Sequence, residues 1–128
     1  MSKNKDIGKA LWFDLTIPNA NEVKDFYSNT IGWNSTEHKM GDYSDYNMIS
    51  PINGETLAGI CHANGINKEM PPIWMVYFCV ESLEEKIEFV KKNNGEILRG
   101  PIDTGSMGKY IVIKDPAGAI CALWEKGK

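Results

Sequence analysis

Displacing this chain by 63 residues lays it over itself. Ile17 falls on Val80, Ala20 on Leu83, Phe26 on Phe89 and Gly32 on Gly95. A strand end, a helix start, a helix core position and a helix stop thus coincide, in order. Further along, "SPINGETLAGICH" lies over "DPAGAICALWE" once one extra residue is allowed in the first turn. A repeat of this period means two copies of one supersecondary unit. At 128 residues, the chain has room for two such units in one compact domain.

Each copy reads as β-α-β-β-β. In "KALWFDLTIP", Phe13, Leu15 and Ile17 alternate with Trp12, Asp14 and Thr16, which marks a strand that Pro18 ends. Asn19 or Asn21 can cap the following helix, whose apolar positions are Val23, Phe26, Tyr27 and Ile31, with Gly32 at its end. "WNSTEHKM", "DYNMIS" and "TLAGICHA" read as strands. In the second copy "IWMVYFCV" is a strand and "ESLEEKIEFVKKNNG" a helix, with Leu83, Ile87, Phe89 and Val90 inward and Gly95 as its stop. "EILRGPI", "YIVIKD" and "AICALWE" complete it, with "DTGSMGK" as a Gly-rich loop and "DPAG" as a turn.

Composition narrows the function. Apolar residues make up 42% and charged residues 24%, as in an ordinary globular protein. The net charge of −3 has both signs interspersed, so no basic stripe is available for nucleic acid. No apolar run approaches a membrane span, and "MSKNKDIGKA" lacks the apolar core of a secretory signal. The first eight residues read as a frayed tail. Cys61, Cys79 and Cys121 are widely spaced with no CxxC pair, so they are expected to be reduced core thiols in a cytoplasmic protein.

The segments "WFDLTIPNANEVKDFYSNTIGW", "PPIWMVYFCVESLEEKIEFVKKNNGEIL" and "DPAGAICALWE" together resemble the vicinal oxygen chelate superfamily, over about residues 9–126. This superfamily includes glyoxalase I, extradiol dioxygenases and the fosfomycin- and bleomycin-resistance proteins. The resemblance implies an α+β fold of two tandem βαβββ modules forming an open, mixed, eight-stranded barrel-like cup with helices outside. Module one would span about 9–64, a linker 65–72 and module two 73–126. Strand parity then expects Phe13, Leu15, Ile17, Val76, Phe78 and Val80 under the helices. Trp12, Asp14, Thr16, Thr56, Ala58, Ile60, His62, Met75, Tyr77, Cys79, Ile120, Ala122 and Trp124 would face the cup.

Metal-dependent members of the superfamily carry one ligand at the start of each module's first strand and one on each module's last strand. Here those positions are expected at Trp12, Met75, Ala58 and Ala122, none of which holds a hard or borderline divalent ion. No cofactor is therefore expected. A metal would need a shifted set using Asp14 and His62, one ligand short of a catalytic site. Asp14 is the one acid expected inside the cup. It is a candidate general base or partner for a ligand amine, and otherwise a buried carboxylate with local hydrogen bonds. His62 could join it as an acid–base pair, or sit as an exposed strand-end residue. Glu125 reads as a solvated strand end. "DTGSMGK" lacks the Gly-Lys-Ser/Thr of a phosphate loop. The resemblance suggests a flap instead, with Met107 and Lys109 near the ligand.

The ligand-binding set expected from the sequence is Trp12, Asp14, Thr16, Ala58, His62, Met75, Tyr77, Ala122 and Trp124. The expected function is that of a metal-independent, glyoxalase/bleomycin-resistance-like protein binding a small apolar or aromatic compound. The alternative is a glyoxalase-like or dioxygenase-like lyase or isomerase. Its chemistry would come from a shifted metal site or from Asp14 as general base. Partners are expected to be a small molecule and a second copy in a homodimer, with neither nucleic acid nor membrane.

Overall fold

The computed structural model describes residues 5–65 and 68–127. The expected linker lies partly outside that range, as do the first four residues of the expected tail. The elements follow the order read from the sequence: β1 (Ala10–Ile17), α1 (Ala20–Ile31), β2 (Asn34–Lys39), β3 (Ser44–Ile49), β4 (Thr56–His62), β5 (Trp74–Cys79), α2 (Leu83–Lys92), β6 (Glu96–Asp103), β7 (Gly108–Lys114) and β8 (Ile120–Lys126). This is the α+β, twofold βαβββ architecture that the repeat predicts. No helix among the described residues is long and apolar enough to cross a membrane.

The chain divides into two units. One is Trp12–Trp74; the other joins the residues through Leu11 to those from Met75 onward. Residues 9–11 thus belong with the second half rather than the first. The cause is backbone pairing: Gly8 N–H donates to the Cys79 carbonyl at 2.8 Å, and Cys79 N–H to that of Lys9 at 2.9 Å. Asp6 adds ion pairs to Lys9 at 3.3 Å and Lys126 at 2.8 Å. The segment from Asp6 to Gly8 is therefore tied down, not frayed.

In the first unit the strand order is β2-β3-β4-β1, with β4 parallel to β1 and the other pairs antiparallel. Leu15 and Ile17 of β1 pack with Met48, Ala58, Ile60 and Ala20, and Val23 and Tyr27 of α1 close over them. Asn19 holds the N-cap position of α1, and its amide donates to Glu22 Oε1 at 3.2 Å. Gly32 ends the helix in the left-handed conformation, φ 92°, with its N–H on the Ser28 carbonyl.

The second unit repeats the design with the order β5-β8-β7-β6. Leu83, Ile111 and Ile113 form its helix-side core, joined by Val80, Ile87, Val90 and Leu123. Ser82 caps α2 by accepting from Glu85 N–H. Asn94, not Gly95, takes the left-handed turn, φ 66°. Gly95 is required for space, since a Cβ there would lie 2.7 Å from Val90 Cγ1. The DPAG turn is held by Asp115 Oδ1, which accepts from Ala117 and Ala119 N–H at 2.8 and 3.0 Å.

Three expected helix positions, Phe26, Ile31 and Phe89, prove to be outside the core. Phe26 is 59% exposed and Phe89 64%, so the repeat reproduces the exposure as well as the residue type. Phe13 and Phe78 are also partly open to solvent.

Candidate functional site

The sheet face away from the helix carries the candidate side chains in each unit. In the first unit, parallel register pairs Asp14 with Gly59, Leu15 with Ile60 and Ile17 with His62. Paired residues point to the same side of a sheet. Asp14 therefore shares its face with Gly59, and His62 shares the opposite one with Ile17. Ala58 and Ile60 sit in the helix-side core beside Leu15.

This corrects the sequence expectation for Ala58, Ile60 and His62, while Thr56, opposite Ile49 and ahead of the irregularity, keeps the Asp14 face. The reason is a bulge. Met48 pairs with Ala58 but Ile49 pairs with Thr56, so β4 spends one extra residue, Leu57, against β3. An unmatched residue inverts the parity of everything after it. The register also shows Tyr77 opposite Ala122 in the second unit, where the first has Asp14 opposite Gly59. Both members of the pair differ by the repeat displacement. The true counterpart of Ala122 is thus Gly59.

Gly59 and Trp12 are matched to each other. A Cβ on Gly59 would stand 3.2 Å from Trp12 Cζ2 and 3.3 Å from Asp14 Cβ. The indole lies over the bare backbone, and its Nε1 donates to Asp14 Oδ2 at 3.2 Å. Trp12, expected at one ligand position of this unit, thus carries an indole, and Gly59, the counterpart of Ala122, carries no side chain. Neither can coordinate an ion.

A second acid, Asp45, escaped the sequence reading. It is buried and lies opposite Cys61 on the Asp14 face, continuing the register that pairs Asn47 with Gly59. Its Oδ1 accepts from the His62 N–H at 2.8 Å and stands 3.5 Å from His62 Nδ1, a buried atom with no hydrogen bond. The His62 ring rests against Tyr43 and Tyr46, at centroid distances of 5.2 and 6.4 Å. His62 therefore works with Asp45, and its strand position directs it to the other side of the sheet from Asp14. The alternation Asp45, Asn47 against Tyr46, Met48 in "DYNMIS" was the available signal. Burial raises the Cys61 thiol far above its usual range, and the charges of Asp14 and Asp45 raise it further. Cys61 therefore supplies little thiolate at neutral pH.

In the second unit the parity expected from sequence holds. Met75, Tyr77, Cys79 and Ala122 are buried on one face, which Tyr110, Val112 and Trp124 share through pairing of β5, β7 and β8. The Tyr77 and Tyr110 rings meet edge to face at 5.4 Å. Trp124 Nε1 donates to the Met107 carbonyl at 2.9 Å, and Gly127 N–H to the same oxygen at 3.2 Å. The Gly-rich loop is thus a pinned turn. Met107 is exposed. Lys109 pairs with Glu125 on the helix side of the sheet.

Glu125 is not a solvated strand end. Its Oε1 accepts the Leu83 N–H at 2.8 Å, so it caps the first turn of α2. Among the described residues no three His, Cys, Asp or Glu side chains are grouped to hold a metal ion.

One pocket of about 410 Å³ lies on the other side of the first unit. Tyr27, Trp33 and Trp74 form its wall, Ala58 its floor, and Phe13 and Ile31 part of its rim.

Comparison with known proteins identifies the family. The chain is 28% identical over 122 residues to a Mycobacterium tuberculosis protein provisionally named glyoxylase CFP32, covering 94% of this chain and 47% of the relative. It is 30% identical over 131 residues to the anthracycline biosynthesis protein DnrV of Streptomyces peucetius, covering 94% and 48%. The chain spans about half the length of these curated relatives. Methylmalonyl-CoA epimerase from Mycobacterium tuberculosis shares the fold, with a TM-score of 0.59 at 12% identity over 99% of this chain and 94% of that one. The family model described as the glyoxalase/bleomycin resistance protein/dioxygenase superfamily matches residues 9–122, and the chain belongs to that superfamily.

Proposed function

We propose that this chain binds a small apolar or aromatic molecule through the helix-free faces of its sheets, and does so without a divalent metal at the superfamily's ligand positions. The observation that carries the proposal is the donor set. Trp12 lies over Gly59 in one unit, and Met75 and Ala122 are buried in the other. None of the four supplies a ligand for a hard or borderline ion. Each unit by itself offers aromatic surface for a flat, weakly polar compound instead: the Trp12 indole in the first, and the Tyr77–Tyr110 pair and Trp124 in the second.

Asp14 would orient the bound molecule. Its Oδ2 already accepts from Trp12, which ties the carboxylate to the indole that would stack on the ligand. The shifted metal site drawn from Asp14 and His62 loses support, because Asp14 Oδ2 already accepts from Trp12 and His62 Nδ1 stands 3.5 Å from Asp45. Cys61, Cys79 and Cys121 are not joined in disulfides, which suits a reducing compartment such as the cytoplasm.

The test combines metal analysis of the purified protein with tryptophan fluorescence titration against a panel of small aromatic metabolites and antibiotics. Saturable quenching in metal-free protein, weakened by Trp12→Ala, supports the reading. About one equivalent of bound zinc, nickel, manganese or iron that is lost on Asp14→Ala refutes it.

A further inference from the structure

We propose that the first unit carries a second small-molecule site, on the helix-packed side of its sheet, for a neutral bicyclic aromatic compound. The cavity of about 410 Å³ falls within the ~300–1,000 Å³ of ligand pockets. Its wall is rigid. Tyr27 and Trp74 meet at 5.2 Å, Trp33 and Trp74 at 6.0 Å, and Tyr27 and Trp33 at 6.2 Å. Trp74 Nε1 donates to Tyr27 Oη at 3.1 Å, which consumes the polar handle of one ring on another.

Those spacings choose the ligand class. Rings in mutual contact leave no gap for a cation between them, so this is a continuous wall rather than a cage for a quaternary ammonium. No charged side chain lines the cavity, so an ionic ligand would be desolvated without compensation. The site exists because the core stops short here. Ala58, 2% exposed, is a small floor, while Phe13 and Ile31 at the rim remain partly open to solvent.

The test is a titration of the ¹⁵N-labelled chain with naphthalene, reading the indole N–H signals of Trp12, Trp33, Trp74 and Trp124, each assigned by its Trp→Phe variant. Saturable shifts of Trp33 and Trp74 are expected. Ile31→Glu, a charge at an exposed rim position, should weaken binding by about tenfold or more. Shifts confined to Trp12 and Trp124 overturn this site while supporting binding on the opposite faces. No shift of any indole overturns it as well. Trp33 and Trp74 signals that move with protein concentration alone overturn it in favour of a second copy of the chain.

Discussion

Glu125→Ala should destabilise the chain far more than a substitution at a strand end ordinarily does. The carboxylate accepts the N–H of Leu83, the first residue of α2. Leu83 is 1% exposed, so water cannot readily take over the bond. A hydrogen bond to a charged acceptor contributes about 1.5–3 kcal/mol. A negative charge at a helix N-terminus adds roughly 0.3–1 kcal/mol. Ser82 still caps Glu85 N–H in the variant, so the helix loses one of its two caps. The expected loss is about 2–3 kcal/mol for Glu125→Ala. Glu125→Gln keeps an acceptor oxygen and gives up only the charge, which costs about 0.5–1 kcal/mol. Urea denaturation followed by circular dichroism measures both. With an m-value of roughly 2 kcal/mol/M, the midpoint should fall by about 1–1.5 M for alanine and by at most about 0.5 M for glutamine. Hydrogen exchange should lose protection first at Leu83. An alanine variant within about 0.5 kcal/mol of the parent, the range of ordinary surface changes, would refute the capping role.

Ala58→Asp should unfold the first unit or cost more than about 3 kcal/mol, because the charge would enter the core among Leu15, Ile17 and Met48; a thermal melt unchanged from the parent would mean that Ala58 faces outward after all. Cys61 should resist iodoacetamide in the native state up to about pH 9, since its raised thiol supplies little thiolate; peptide mapping by mass spectrometry that finds it labelled as fast as in urea contradicts this. Lys126 and Lys9 hold the Asp6 carboxyl below its usual range. A group depressed on folding contributes above its ordinary value, near ~3.9, and loses that contribution as pH falls through the folded value. The protection factor of the Gly8 amide, bonded to Cys79, with the intrinsic exchange rate divided out, should fall in that acidic window and with added salt, and a constant protection factor would sever the link.

Much of the fold was legible because the repeat constrains two segments at once. Ile17 with Val80 and Gly32 with Gly95 support each other's assignment in a way that neither does alone. Side-chain direction in the second half was legible too, since a tight DPAG turn fixes the register of β8. In the first half it was not. Between Ser50 and Gly59 the chain has nine steps where Asp115 to Ala122 has seven. One extra residue lies in the turn and was visible; the other is Leu57, paired with nothing on β3. A bulge has no residue signature of its own here, so Ala58 and His62 were turned the wrong way and Asp45 was passed over. Glu125 was misjudged for a different reason. Its partner is a backbone N–H 42 residues earlier, a contact that no local pattern encodes.

Leu57 also bears on how two like halves come to differ in chemistry. One inserted residue exchanges the whole downstream tip of a strand between interior and ligand-facing roles, without altering a single codon in that tip. Duplicated modules of this kind can therefore diverge by a length change as readily as by substitution. In this chain the residue register sets Gly59 where the sister half has Ala122, and the bare backbone there leaves room for the Trp12 indole.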